Sequence, residues 1–477
     1  MGQFARAVLV TFDWVVLGYF VLVNALYLLL LLSAAWEMRN HLLLERAERR
    51  WRVLQSDIAP TISMLAPAHD EAATIAASVR AMLGLSYPNL EVVVVNDGSG
   101  DDTLRVLIDD FGLVAVHPLF RRQAETRPVT ALYRSPAHPN LVVIDKENGG
   151  KADALNAGLN VASGRLVCAV DADTIIEPAA LQRMVRPFVT CDDVIAAGGT
   201  VRIVNGSEVR DGRVTNLQAP RQALAGFQVV EYLRAFLFGR LGWNRLGGNL
   251  IISGAFGLFD RRAMAEAGGY AHDSVGEDME LVVRLRRRSY EQNDPRRISF
   301  IPDPVAWTEA PESLRVLGRQ RDRWHRGLSD ALSRHERVFG NPRYRAMGLF
   351  VFPYFVLVEL LAPVVEALGL LGLAAGLALG AVDLSFAVLF FLLAYGFGIV
   401  LASFTLVLEE LSFHRYERLR DRALLVLWVL LESLGYRQLT VLWRLRGIWK
   451  FLRKRTDWGD MNRRGFATAP ATERQDS

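Results

Sequence analysis

The sequence predicts an α/β domain with a mostly parallel sheet, joined to an α-helical transmembrane region. Three observations predict it. Short apolar runs alternate with helical patterns through residues 57–170, long uncharged stretches cluster near both ends of the 477 residues, and a polar cluster follows each of several apolar runs. The hydrophobic fraction of 51% and charged fraction of 22% therefore average two regimes. Such a length holds a large soluble domain and something more. The chain divides into 1–56, an amino-terminal span with a basic juxtamembrane segment; 57–312, a cytoplasmic domain; 313–340, an amphipathic interfacial helix; 341–410, two spans; 411–464, a basic interfacial or re-entrant segment; and 465–477, a disordered tail.

Trp14–Trp36 carries no charge over 23 residues, enough helix to cross roughly 30 Å of hydrocarbon. The run is too long for a signal peptide, and no small-residue cleavage site follows it. Glu37–Arg52 holds five arginines against Arg6 alone before the span, which puts the amino terminus outside and the central domain in the cytoplasm of an inner-membrane protein. Further spans are expected at Met347–Leu373 and Leu384–Leu408, with no Lys or Arg in the loop between them and four arginines in HRYERLRDR after them. Ala423–Trp443 is interrupted by Glu432 and Arg437, and nine basic residues occupy Arg437–Arg464; a re-entrant or interfacial hairpin keeps that charge inside. Pro353 and Pro363 should kink the second span. Glu359 and Glu366 share one of its faces, either to pair with arginines or to line a polar path.

The pI near 9.1 comes from arginines beside the apolar segments, a membrane pattern that excludes nucleic acid as a partner. Cys168 and Cys191 form neither a CxxC pair nor a metal-type spacing, so no disulfide framework is expected.

In the central domain, TISMLAP, LEVVVVND, LVVID and RLVCAV read as strands, with helical patterns between them; that alternation implies a mostly parallel sheet. Sheets of this kind bind ligands beyond the carboxyl ends of their strands. PAHDE, VNDGS, ENGGK and VDAD fall there. Asp171 and Asp173 could hold a hard cation, Mg2+ or Mn2+, although Asp173 could equally cap the following helix. Asp97 could accept from a nucleobase N–H, or close a plain Asp-Gly turn. Lys151 opens a helix after two glycines, a setting that suits phosphate. Glu277 and Asp278 start an amphipathic helix, as a cap or as a general base. Gln320, Arg323 and Trp324 stand at i, i+3 and i+4, so they share a face suited to an aromatic anchor among snorkelling arginines.

Taken in order, PAHDE, VNDGS, GGKADALN, DAD, SGAFG, GED and QRDRW resemble the family 2 glycosyltransferases, specifically the membrane-integrated processive synthases of cellulose, chitin, hyaluronan and poly-N-acetylglucosamine. The resemblance covers about residues 57–330 and the flanking membrane layout. It implies a GT-A fold, a nucleotide-sugar donor, and inversion at the anomeric carbon. It also implies roles. Asp70, Glu71 and Asp97 would hold uracil and ribose; Lys151 and Asp171 would lie at the diphosphate, with Asp173 the main metal ligand, and Gln320 would hydrogen-bond near the donor. Ser253, Gly254 and Ala255 would shape the acceptor site, Asp278 beside Glu277 would be the base, Arg323 would neutralise the departing diphosphate, and Trp324 would stack on the acceptor sugar. Two departures stand out: His-Asp in PAHDE where Tyr-Asn or Phe-Asn is commoner, and a single amino-terminal span.

The activity implied is transfer of a hexose or N-acetylhexosamine from a nucleotide sugar, UDP-linked, to the end of a β-linked polysaccharide, with export of the exopolysaccharide across the membrane. The alternative is a non-processive enzyme that glycosylates a lipid acceptor such as diacylglycerol, ceramide or a polyprenyl phosphate. Membrane lipid is a partner in either case, and an accessory subunit or regulatory ligand is compatible with both.

Overall fold

The computed structural model describes residues 3–48, 59–171, 174–210 and 212–454. The expected metal ligand Asp173, the end of the first basic segment and the tail 465–477 lie outside the described residues.

Strand Ile62–Ala68 is buried along nearly its whole length, as a near-continuous apolar run in a sheet covered on both faces must be. It pairs in parallel with Leu90–Asp97 on one side and Leu166–Val170 on the other, and Leu90–Asp97 continues in parallel to Leu141–Lys146. This is the parallel run that the sequence predicts, and it forms one centre of a ten-stranded sheet.

Outside that run the sheet is mixed. Phe256–Asp260 lies antiparallel between Leu166–Val170 and Val194–Ile203. Arg297–Thr308 then runs parallel to Val194–Ile203 and antiparallel to the short edge Ile175–Ile176. At the far edge Val129–Arg134 is antiparallel to both Leu141–Lys146 and Val114–Val116. The link from Arg134 to Leu141 is too short for the crossover helix that a parallel pair needs.

Among the described residues two helices are long and apolar enough to cross a membrane, Arg6–Leu44 and Leu384–Phe413; two bent pairs, Met347–Leu360 with Ala362–Ala378 and Leu419–Glu432 with Tyr436–Leu452, raise the number to four if each pair is one span. The first pair bends by 46° where Pro363 enters the first turn of the second helix, a position that tolerates its missing N–H. The second bends by 57° at Gly435, which takes φ +86°.

The sheet domain is bolted to these helices by buried charge. Arg202, on Val194–Ile203, meets Glu409 of the Phe397–Phe413 helix through two 2.6 Å contacts. Its guanidinium lies 5.9 Å from the Trp307 ring and 5.4 Å from the Phe413 ring. Gly242 lets its helix press against the first one: a Cβ there would sit 2.5 Å from the Leu30 carbonyl oxygen.

Candidate functional site

A cavity of about 1490 Å³ opens at the carboxyl ends of the parallel strands and continues between the membrane helices. Asp70, Glu71, Asp97, Lys151, Asp171, Ser253, Gly254, Ala255, Glu277, Asp278, Gln320, Arg323 and Trp324 all line it. Every described residue that the sequence nominates is therefore in one place.

The mouth is formed by two loops that brace each other. Asp70 adopts φ +56°, a left-handed conformation that Asp tolerates because its side chain can bond locally. Its Oδ1 accepts from the Gly100 N–H at 2.7 Å, and Ser99 Oγ accepts from the Asp70 N–H at 3.1 Å. The Glu71 N–H donates to Thr103 Oγ1 at 2.8 Å, and Glu71 Oε2 accepts from Thr74 Oγ1 at 2.8 Å.

Asp97 is deeper, and its oxygens already have partners: Lys146 Nζ at 2.5 Å and the Gly149 and Gly150 N–H groups at 3.0 and 2.7 Å. Lys146 is fully buried and also meets Asp153 at 2.7 Å. This ion triad sets the loop that delivers Lys151 to its helix terminus. A sequence reading can see Lys146 at the strand end, but nothing in its spacing shows that it lies between two acids.

The centre of the cavity is a cluster of carboxylates around one ammonium. Lys151 Nζ contacts Asp171 Oδ1 at 2.5 Å. Burial pulls its pKa down, but Asp171, Glu277 and Asp278 together hold it above the ordinary value. Burial pushes Glu277 up to about 7, with Lys151 opposing and Asp278 adding to the rise. Gly254 passes between the two charges that matter most: a Cβ there would lie 3.0 Å from Asp278 Oδ2 and 3.4 Å from Lys151 Nζ. A side chain at this position of SGAFG would press on both charged groups and displace them by a few tenths of an ångström.

The Leu314–Arg334 helix supplies the opposite wall. It reaches the centre because Gly276 and Gly327 let two backbones touch; a Cβ on Gly276 would come within 2.7 Å of Gly327 Cα. Trp324 is 44% exposed, leaving ring surface open. Arg321 lies 4.3 Å over its ring, and the Tyr232 ring is 6.3 Å away. Gln320 is buried, and its Oε1 has no hydrogen-bond partner among the described residues.

The family model "Glycosyltransferase like family 2" matches residues 59–327, more than half of the chain. The chain belongs to glycosyltransferase family 2. A "Probable glycosyltransferase" of Bacillus subtilis (strain 168) is 28% identical over 291 residues, 61% of this chain and 60% of that protein. The poly-beta-1,6-N-acetyl-D-glucosamine synthase of Staphylococcus aureus (strain COL) is 27% identical over 301 residues, 63% and 62% of the two chains. The match thus spans about three fifths of either relative's length. Among solved structures, a mannosyltransferase from Pyrobaculum calidifontis in complex with GDP-Man and Mn2+ is 20% identical, with a TM-score of 0.49 over 88% of this chain and 99% of that one.

In this family 2 glycosyltransferase the GT-A domain forms part of the cavity wall, and helices outside it form the rest. Tyr19, Asn24 and Tyr27 of the first span line it, as do Glu359, Glu366, Arg437 and Arg444. Glu359 and Glu366 pair with arginines, the first of the two expected alternatives, and do so on the cavity wall. Glu366 pairs with Arg437 at 3.1 Å and Glu359 with Arg444 at 4.0 Å, and all four side chains line the cavity. Asp322 of QRDRW turns away from it, almost fully buried, to meet Arg446 at 3.3 Å, Arg326 at 3.4 Å, and Lys450. The basic helix Tyr436–Leu452 is thereby clamped against Leu314–Arg334. Arg240 also lines the cavity. It comes from the stretch between DAD and SGAFG, where no motif announces a role.

Proposed function

We propose that this glycosyltransferase transfers a hexose or N-acetylhexosamine from a UDP-linked donor, with inversion, to the end of a β-linked polysaccharide, and that the product leaves between the membrane helices. The observation that carries this reading is the continuity of the cavity from the strand ends to Glu359, Glu366, Arg437 and Arg444. A wall of paired charges suits a hydroxyl-rich chain, which exchanges water hydrogen bonds for those of the wall.

Asp278 is the base. It takes the proton of the acceptor hydroxyl as that oxygen forms a bond to the sugar C1, and the bond from C1 to the diphosphate breaks with its electron pair on the leaving nucleotide. Lys151 and Arg323 stabilise the negative charge that develops there. Attack opposite the leaving group turns an α-linked donor into a β-linkage. Trp324 offers its open face to the C–H side of the acceptor sugar.

The residues present suit a divalent cation. Asp171, Glu277 and Asp278 put more negative charge around Lys151 than one ammonium balances, and burial with Asp278 keeps Glu277 partly protonated near neutrality. Asp171 and, in sequence, Asp173 are the oxygen donors that Mg2+ or Mn2+ prefers. When bound, such an ion supplies charge neutralisation at the diphosphate. The membrane reading puts the GT-A domain in the cytoplasm of an inner membrane with the amino terminus outside.

Transfer of one sugar to a lipid is the second reading; Phe20 and Val23 of the first span line the same cavity and would suit an apolar chain. The experiment is turnover of radiolabelled nucleotide sugars by the full chain in nanodiscs with Mg2+ or Mn2+. Product is sized and digested with linkage-specific hydrolases beside an Asp278→Asn control. A long β-linked polymer is expected; a single sugar on an extractable lipid would replace the first reading with the second.

A further inference from the structure

The arginines of this cavity differ in one respect. Arg234 meets Glu432 at 2.6 Å, Arg321 meets Glu231 at 2.7 Å, and Arg437 and Arg444 have Glu366 and Glu359. Arg240 has no hydrogen-bond or ion-pair partner among the described residues. Its Nη1 is buried without one, and its guanidinium lies 4.0 Å over the Phe236 ring. A guanidinium N–H held out of water without an acceptor is unfavourable, so this donor is set for a partner that a ligand can supply.

The placement says what. Burial pushes the Arg240 guanidinium down to about 10, opposed by Asp278 and then Tyr232, whereas the Lys151 ammonium feels Asp171, Glu277 and Asp278. Arg240, Asp278 and Lys151 line the same cavity. Lys151 contacts Asp171 on the donor side, whereas Arg240 lies over Phe236, whose ring is 5.8 Å from that of Tyr232, itself 6.3 Å from Trp324, where the acceptor would lie. A guanidinium in this setting selects an oxyanion.

We propose that Arg240 is an anion subsite for the acceptor: it binds the carboxylate of an acidic sugar at the growing end of the glycan, next to the hydroxyl that Asp278 deprotonates. This rests on the glycosyltransferase reading above and narrows its acceptor to an acidic polysaccharide. A lipid phosphate has the same charge, but beside Phe20 and Val23 the cavity wall carries Glu359, Glu366, Arg437 and Arg444, which a hydrocarbon tail would have to desolvate.

The test uses the full chain in nanodiscs and a tetrasaccharide of alternating β-linked glucuronate and N-acetylglucosamine, with its carboxyl-reduced, neutral form and a polyprenyl phosphate as comparisons. Binding is measured by calorimetry without donor, and transfer with the donor that turns over. The acidic tetrasaccharide should bind at least tenfold more tightly than the neutral one. Arg240→Gln should erase that difference, and Arg240→Lys should restore part of it. Equal affinity for the acidic and neutral forms in the unmodified chain would overturn the proposal, as would a charge preference that Arg240→Gln leaves intact. Arg240-dependent binding of polyprenyl phosphate without discrimination between the tetrasaccharides would overturn it in favour of a lipid. Discriminating binding without transfer from any donor would uphold the subsite and sink the glycosyltransferase reading instead.

Discussion

The nucleotide side of the cavity hangs on loops at the ends of four parallel strands, whereas its membrane side is assembled from helices drawn from residues 19 to 444. On the first side the bonds are dense and the partners are backbone amides: Asp97 accepts from two of them and from Lys146. On the second side the bonds join side chains far apart in sequence. Lys450 reaches Asp322 across 128 positions, and Arg437 reaches Glu366 across 71. On the proposed function, strand ends braced in this way would fix a donor of constant shape, while charge pairs between helices would part as a glycan passes. That proposal puts precision at the donor and adaptability at the acceptor.

That contrast can be broken at several points. Asp278→Asn, at the junction of the two sides, should lower transfer by roughly 10²–10⁴-fold, the usual worth of a general base, while donor affinity measured by calorimetry stays close to that of the unmodified chain. Full activity in this variant would remove the base from the mechanism.

Stability should separate the sides next. Lys146→Met leaves Asp97 and Asp153 buried without their shared cation, though still held by backbone N–H groups; a loss of about 3 kcal/mol is expected, visible as a lower thermal midpoint and weaker donor binding together. Asp322→Asn removes one acid that serves three cations. It should cost less, about 2 kcal/mol, and should loosen the Tyr436–Leu452 helix, read as faster amide exchange there. Equal and global effects from both would erase the distinction between a rigid and an adaptable side.

Gly254→Ala forces a methyl within 3.0 Å of Asp278 Oδ2. Activity should fall by roughly 10–100-fold through misplacement of the base, with the thermal midpoint nearly unchanged. The smallest effect concerns pH. Glu277 has a folded pKa of about 7 against an ordinary 4.5, so between those values the folded chain holds a proton that the unfolded chain has lost. The resulting stabilisation is complete below pH about 4.5 and gone above about 7. The thermal midpoint of the unmodified chain, relative to that of Glu277→Gln, should therefore decline as pH rises through this window; a flat difference would contradict it.

What was legible in the sequence follows the same division. The parallel strands announce themselves as apolar runs, and their polar ends carry motifs short enough to read, so the residues from Asp70 to Asp278 were found one by one and converge on one cavity. The helix face of Gln320, Arg323 and Trp324 was equally visible, because three and four positions fix it. The antiparallel flanks were not visible: Phe256–Asp260 inserts between strands from two other parts of the chain, and no local period records that. Lys146 and Arg240 were missed for a related reason, since their meaning lies in what surrounds them in space. For Glu359 and Glu366 the spacing left two alternatives open, and Arg437 and Arg444, seven residues apart on another helix, show the pairing.

The most direct test of a continuous path from donor to membrane is a photocrosslink. A benzoylphenylalanine replaces Tyr27, which faces the cavity, and in a second protein replaces Leu28, which is 46% exposed on the outer surface of the same helix. Both are turned over with radiolabelled donor in nanodiscs and illuminated. The account predicts label of polymer size on the Tyr27 protein and background on the Leu28 protein. Equal labelling of the two, or a long polymer made with no label at Tyr27, would contradict it.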